Sequence, residues 1–495
     1  MRKFSVLTLL FIFTYTVNAQ FSDLADLASG KLETFTAIKD VDDQVYGYIG
    51  IYMLEKVDDK NMRFEYVVLD KNLNKVASGE YLNPYYKKVE RNTFVSKKVG
   101  DEILLSSLYY SYTLRYVTFT THRILNVKTN KIGDAFHLEG KEDFVFADYN
   151  GPSNKLNKQL KDIHKFEFPV PFGKGFLLME GQKKNARKVH IQRSLGAFTF
   201  DAKKLWEHPI AVDDEKLDFG IADINKDRII LKMEEPFGNK EIFLKVLNAD
   251  TGEQLFKYTV EKRGDDFSHT FIVEQDDDRI TIIGMFSPYK TTGYDYRKSA
   301  GVFRIELDKQ GNELSNKRLF WPQMSAFIEI DKKGKVEKGY RLIPKELFVF
   351  KDGTAAVLTE KMKEASVLAL QPGVRSTDFV LLKFDSAFEL SGIETIKKDK
   401  SKYYAGDYLF SQYVKDRTGV AFFYQDYQKD DATKDRNWIL GIVTMIDGKY
   451  MHESIPMTSE DFAIFPYVAK EGHILLREIN KDDDYDQIRI ERLNY

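Results

Sequence analysis

Apolar residues in this chain come in short runs broken by turn signals, and the order of runs and turns repeats. Residues 219–235 read FGIADINKDRIILKMEE and residues 241–260 read EIFLKVLNADTGEQLFKYTV; residues 270–286 read TFIVEQDDDRITIIGMF and residues 301–320 read GVFRIELDKQGNELSNKRLF. Each pair predicts a strand, an Asp-rich tight turn, an apolar strand, a loop, a third strand, a Gly-containing turn and a fourth strand. The same unit is legible at 34–81, at 93–140, at 167–210 after an insert, at 347–397 and at 412–457. An eighth unit begins at 463–479, and the chain stops after its third strand, Gln487 to Leu493. Four antiparallel strands repeated at a period of about 50 residues are the mark of an all-β β-propeller. Eight blades is the count, or seven if one unit is irregular. The last unit lacks an outer strand, and residues 20–31 are the N-terminal material that can pair there.

The second and third strands of each unit are apolar on nearly consecutive residues, as in Ile280 to Phe286 and Ile439 to Met445. A sheet with one face in water would alternate instead. Continuous runs fit strands covered on both faces, as blades cover one another. Two or three β-sandwiches in tandem are the competing architecture. Two departures from the repeat are expected: a short helix in the insert, capped by Ser153 with Leu156, Leu160 and Ile163 on one face, and a small hairpin within 327–343.

The first residues do not follow the pattern. Arg2 and Lys3 precede an apolar run from Phe4 to Val17, and Val17-Asn18-Ala19 offers small residues before a cut. This predicts a signal peptide over 1–19, a weakly helical leader over 20–31 and a propeller over 32–495. The expected product is exported, periplasmic or extracellular, with no membrane span left after cleavage and a single chain as its functional unit.

Charge adds little: 74 Lys and Arg against 76 Asp and Glu leave no strong field, which argues against a nucleic-acid partner. The absence of cysteine removes disulfides, Cys-ligated zinc, iron–sulfur clusters and thiol catalysis. No cofactor or metal is expected. The Asp-rich turns at 276–278 and 482–484 lack EF-hand spacing, the histidines show no paired spacing, and there is no G-x-S-x-G, P-loop or dinucleotide fingerprint. His269, at the start of an inner strand, is read as a packed residue first and a base second.

Loop lengths point to one face. The first-to-second and third-to-fourth strand turns are tight, whereas the long connections (141–165, 287–300, 321–346, 361–377 and 425–437) are second-to-third strand loops or crossovers, which emerge together on the other face. They carry Tyr289, Tyr294, Tyr296, Arg297, Trp321, Arg375, Tyr427, Arg436 and Trp438, with Tyr109, Tyr110, Tyr112, Arg115 and Tyr424 nearby. Tyr, Trp and Arg are the residues on which a protein or glycan ligand stacks, so these are the candidate binding residues. The plainer reading is that many of these rings pack between blades.

An acid precedes an aromatic or leucine at most crossovers into a first strand: Asp143, Asp218, Asp266, Glu346, Asp407 and Asp461. Lining the channel mouth, two such carboxylates could serve as acid and base on a glycosidic bond. Repetition at equivalent positions favours a structural role, each carboxylate accepting backbone N–H groups at a crossover. The primary reading is a binding module, with a glycan-directed hydrolase as the alternative. The signal segment, the lack of cysteine, the Lys/Asn/Tyr/Phe-rich strands and the loosely repeated F-x-V-x-x-D-x-x-x-I-x-L pattern together resemble uncharacterised exported propeller-like proteins of Bacteroidota. That resemblance implies the fold and no substrate.

Overall fold

The computed structural model describes residues 21–85, 90–111, 116–136, 169–184, 190–211, 218–235, 241–262, 264–288, 299–364, 373–403, 406–429, 436–457, 462–480 and 486–494. They form eight antiparallel sheets, seven built from strands consecutive in sequence and the eighth combining the last three strands with the first. Blade one is Lys31–Lys39, Val45–Lys56, Asn61–Asp70 and Lys75–Pro84; blade four is Asp218–Ile224, Arg228–Glu234, Ile242–Asn248 and Gln254–Glu261; blade five is Phe267–Gln275, Arg279–Pro288, Gly301–Asp308 and Glu313–Phe320. Blade six is Arg341–Val349, Ala355–Glu364, Val374–Phe384 and Leu390–Ile396, and blade seven is Tyr408–Val414, Gly419–Lys429, Arg436–Ile446 and Lys449–Pro456. First strands touch first strands of the next blade, so they line the centre of the ring. The protein is an eight-bladed β-propeller.

Consecutive apolar residues exist because each blade has two neighbours. In blade five, Ile282 and Phe286 pack against blade four while Ile283 and Met285 pack against blade six. In blade seven, Phe422 joins the seam with blade six and Phe423 the seam with blade eight. Among the described residues there is one hydrophobic cluster for each of the eight seams. The apolar core is therefore a ring of eight layers and not one central mass.

Five of the tight turns share a chemical device. Asp40, Asp70, Asp308, Asp331 and Asp385 each accept, on Oδ1, the backbone N–H groups two and four residues on. The residue three positions after each Asp takes a left-handed conformation: Asp43, Leu73, Gly311, Gly334 and Phe388. An Asp side chain competes well for local N–H groups, so it holds the hairpin without a special loop. Phe388 is the costly version, a bulky residue at φ 61°, kept because its ring stacks on Phe384 with centroids 4.4 Å apart.

Blade eight closes the ring as its missing strand requires. Phe462–Val468, His473–Asn480 and Asp486–Arg492 supply three strands, and Phe21–Asp23 pairs antiparallel with Gln487–Arg489 as the fourth. A single helical turn, Leu24–Leu27, follows, and Leu24 is buried between blades eight and one, where Tyr52 donates its hydroxyl to the Leu24 carbonyl at 2.9 Å. The expected hairpin in the 327–343 crossover is realised as an Asp331 turn with a single bridge, Lys335 to Arg341. The expected helix after Ser153 lies outside the described residues.

Leu24→Ala empties a fully buried site in the closing seam and should cost about 2–5 kcal/mol, measured by urea unfolding. Hydrogen exchange should rise first in 486–492, the strand whose outer partner the Leu24 anchor holds in place.

Candidate functional site

The centre of the ring is where chemistry can meet solvent. First strands have one neighbour strand in their own blade and a free edge toward the channel, so part of their side-chain surface stays uncovered. Large apolar residues occupy those positions: Phe94, Ile272, Leu409 and Phe465, on the first strands of blades two, five, seven and eight, are exposed between 36% and 48%. At the seam of blades four and five the wall opens into a cleft of about 310 Å³ lined by Phe219, Ile221, Ala222, Phe271, Ile272 and Val273. Lys232 and Glu234 also border this cleft, with the Lys232 ammonium 4.5 Å from the centre of the Phe271 ring.

Toward the short-loop end the channel is crossed by polar groups. The Tyr413 hydroxyl of blade seven donates to Glu274 of blade five at 3.1 Å and accepts from the Val349 N–H of blade six at 3.0 Å. Arg417 pairs with the Glu274 carboxylate and donates to the Val349 carbonyl at 3.2 Å. Asp223, at the end of blade four's first strand, accepts the Gln275 N–H at 2.9 Å. Burial pushes the Asp223 carboxyl up to about 6, its two backbone hydrogen bonds opposing and the Glu274 charge adding to the shift. Burial raises Glu274 as well, against the pull of Arg417.

The acids expected at the channel mouth fall into different settings. Asp407 is fully buried and paired with Lys398, and Ser376 donates to it at 2.9 Å. Glu346 accepts the Tyr408 hydroxyl at 2.8 Å, and Asp266 is exposed. Asp218 opens blade four's first strand, and Asp143 and Asp461 lie outside the described residues. Carboxylates do hold the crossover backbone, but from neighbouring positions. Glu261 accepts the His269 N–H at 2.9 Å, Glu360 the Asp407 N–H at 3.2 Å, and Asp426 the Asp399 N–H at 2.8 Å. His269 is packed: Arg318 donates to its Nε2, which leaves Nδ1–H facing Glu261, and its ring meets Phe303 edge-on.

The aromatic set does not assemble as one surface. Trp321 is fully buried between blades five and six, with its indole N–H donated to the Ser299 carbonyl at 2.8 Å; it is core and not a binding ring. Tyr427 is also buried, edge-on to the half-buried Trp438, and Tyr109 and Tyr424 are buried too. Trp321 is buried because its crossover folds back into the seam, whereas Tyr109, Tyr424, Tyr427 and Trp438 lie within second and third strands of their blades. Arg375 is exposed beside Lys402 on the outer part of blade six, and Arg436 opens a strand of blade seven. Tyr289, Tyr294, Tyr296 and Arg297 lie outside the described residues, as do Tyr112 and Arg115.

Sequence reasoning missed a buried charge cluster in the crossover from blade six to blade seven. Glu360, Lys398, Asp407, Ser376 and Ser401 are all buried there. Lys398 Nζ lies 3.3 Å from Glu360 Oε1, Lys345 Nζ lies 3.1 Å from Glu360 Oε2, and Gly406 passes so close that a β-carbon there would collide with Glu360 and Lys345. The signal was a charged residue inside an otherwise apolar strand, Glu360 in AAVLTEKM and Asp378 in STDFVLLKF.

Asp223 yields a pH test. Its folded pKa, about 6, lies above its ordinary value of 3.8. Folding therefore favours the protonated form, and that contribution, complete below the unfolded pKa, is lost as pH rises through the folded one. Asp223→Asn removes the loss, so its melting temperature relative to the parent chain should climb from about pH 4 to pH 7. A constant difference across that window would show that Asp223 does not titrate there.

Residues 1–405 match a family described as a family of unknown function, DUF6770. No curated protein matches the chain. Among solved structures, the chain is similar to a prolyl endopeptidase (10% identity, TM-score 0.42, covering 91% of this chain and 55% of that one). It is also similar to the β-propeller domain of the Trilobed protease from Pyrococcus furiosus (11% identity, TM-score 0.37, covering 83% and 97%). A third similarity is to the quinohemoprotein alcohol dehydrogenase from Comamonas testosteroni (9% identity, TM-score 0.41, covering 96% and 77%). The chain spans about half the length of the prolyl endopeptidase. Likeness at this level carries no chemistry across.

Proposed function

We propose that this chain, which belongs to the DUF6770 family of unknown function, is an exported β-propeller that binds a protein or glycan partner at its long-loop end and seats an apolar part of that partner in the central channel. The wall of the channel carries the reading. Single exposed apolar side chains are ordinary on any surface. Four large ones on inner strands, with Ile272 among them in the wall of an apolar cleft, are the arrangement that marks a contact surface. Lys232 and Glu234 at the cleft give a bound side chain charges of both signs to meet. The basic start and apolar run of residues 1–19 support the reading of an exported protein, periplasmic or extracellular, acting as a single chain.

The rival reading, a glycan-directed hydrolase, needs two carboxyl groups about 5–10 Å apart in an open pocket. Of the mouth acids whose side chains are described, Asp407 is buried under Lys398 and Glu346 is engaged by Tyr408, which leaves Asp266 exposed.

Photo-cross-linking in the cell envelope tests the binding reading. A photoreactive residue at Ile272 or at Phe465 should capture the same partner, and one at Leu314, exposed on an outer strand, should not. Ile272→Glu should weaken capture at Phe465 by about tenfold or more, from burial of a charge against apolar surface. Equal capture from Leu314, or none from either channel position, would sink the proposal.

A further inference from the structure

The crossover from blade six to blade seven holds an amine and a carboxyl group in a setting made for more than an ion pair. After Leu390–Ile396 the chain adds a short strand, Ser401–Tyr403, that pairs with Val374–Ser376 at the start of blade six's third strand, then enters blade seven at Tyr408. Lys398 and Asp407 flank that added strand. Their side chains are wholly excluded from solvent and in direct contact. A third buried group, Glu360, reaches the same amine at 3.3 Å through Oε1 and accepts the Asp407 backbone N–H on that oxygen. Ser376 and Ser401, themselves 2.6 Å apart, both donate to Asp407 Oδ2. Asp407 Oδ1 is buried with no hydrogen-bond partner.

We infer that Lys398 and Asp407 are a site of spontaneous amide formation, joined by a covalent Nζ–Cγ bond with Glu360 as the proton carrier. The balance is a plain condensation. The Lys398 nitrogen, having given a proton to Glu360, attacks Asp407 Cγ and forms the C–N bond. The negative charge that gathers on Oδ2 falls where the Ser376 and Ser401 hydroxyls point. Glu360 passes that first proton to Oδ1 as the tetrahedral centre forms, then takes the surplus proton from nitrogen and passes it to the same oxygen, whose bond to Cγ breaks. Oδ1 leaves as water, and Glu360 ends in its starting state. No oxidant, reductant or cofactor enters. Contact in a water-excluded site supplies the effective concentration and removes the solvent that would hold both groups as hydrated ions. Lys345, 3.1 Å from the far oxygen of Glu360, holds the carrier in place.

The bond would clamp the added strand between two blades. In a chain without cysteine it does for one crossover what a disulfide does elsewhere: it limits the conformations of the unfolded chain.

Mass spectrometry of the full purified chain decides the matter. The expected mass is about 18 Da below that of the sequence counted from the observed N-terminus, the loss of one water. A proteolytic digest should contain a branched peptide joining the segments that carry Lys398 and Asp407, with no cleavage by trypsin after Lys398. An aspartyl succinimide also loses one water, so the branched peptide is the required result; a loss confined to one linear peptide overturns the proposal. Recovery of Lys398 and Asp407 in separate unmodified peptides overturns it too, whatever becomes of any variant. Glu360→Gln, keeping the shape of the side chain, should fold with a normal circular dichroism spectrum and show the full mass. A folded Glu360→Gln chain that still carried the branched peptide would overturn Glu360 as the proton carrier.

Discussion

Every blade has two apolar faces, and no blade can bury both without a neighbour on each side. The rest of the molecule follows from that constraint. A row of blades would leave two faces bare at its ends, so the row must close, and closure falls on the weakest sheet. Three residues, Phe21–Asp23, complete blade eight from the opposite end of the chain, with Leu24 driven into the seam behind them. The contact that closes the ring is small, yet it stands between the end blades and exposure of the seam that Tyr48, Tyr52, Leu475 and Ile488 fill.

Packing blades face to face has an electrostatic consequence. Chain must pass from the outer strand of one blade to the inner strand of the next, across the top of a seam, and its backbone N–H groups there have no ladder partner. Buried carboxylates take that part: Glu261, Glu360 and Asp426 each accept such an N–H. Each then brings a charge or a proton into the interior, and each site answers differently. Glu261 faces His269, whose far ring nitrogen accepts from Arg318, Glu360 is held by two lysines, and burial pushes the Asp426 carboxyl up to about 6. The densest of these answers is the Lys398–Asp407–Glu360 group, where a requirement of the fold has set an amine against a carboxyl group in a dry site.

The channel shows the opposite economy of surface. Inner strands cannot be covered on their free edge, and this chain leaves Phe94, Ile272, Leu409 and Phe465 there in place of charges. Its short-loop end is bridged by Glu274, Arg417 and Tyr413, which link blades five and seven across blade six.

The sequence by itself determined what is local or periodic. Alternation of apolar runs with Asp turns specified the strands, narrowed the blades to eight or seven and showed the need for an outer strand from residues 20–31, because hairpin pairing is read between neighbours in the chain. Consecutive apolar residues such as Ile282 and Ile283 announced burial on both faces for the same reason. Only the tertiary structure decided which aromatic rings are surface and which are core. Trp321 and Tyr427 sit in loops by sequence, yet the crossover carrying Trp321 folds into the seam of blades five and six, and the second strand of blade seven runs past Tyr427, choices made by contacts far apart in the chain. Nor does one residue's neighbourhood reveal that Glu360, Ser376, Lys398 and Asp407 share a single dry site, since Glu360 and Ser376 come from different strands and Lys398 and Asp407 from opposite ends of a crossover. Local order fixes the blades; the meeting of side chains is set only when the ring closes.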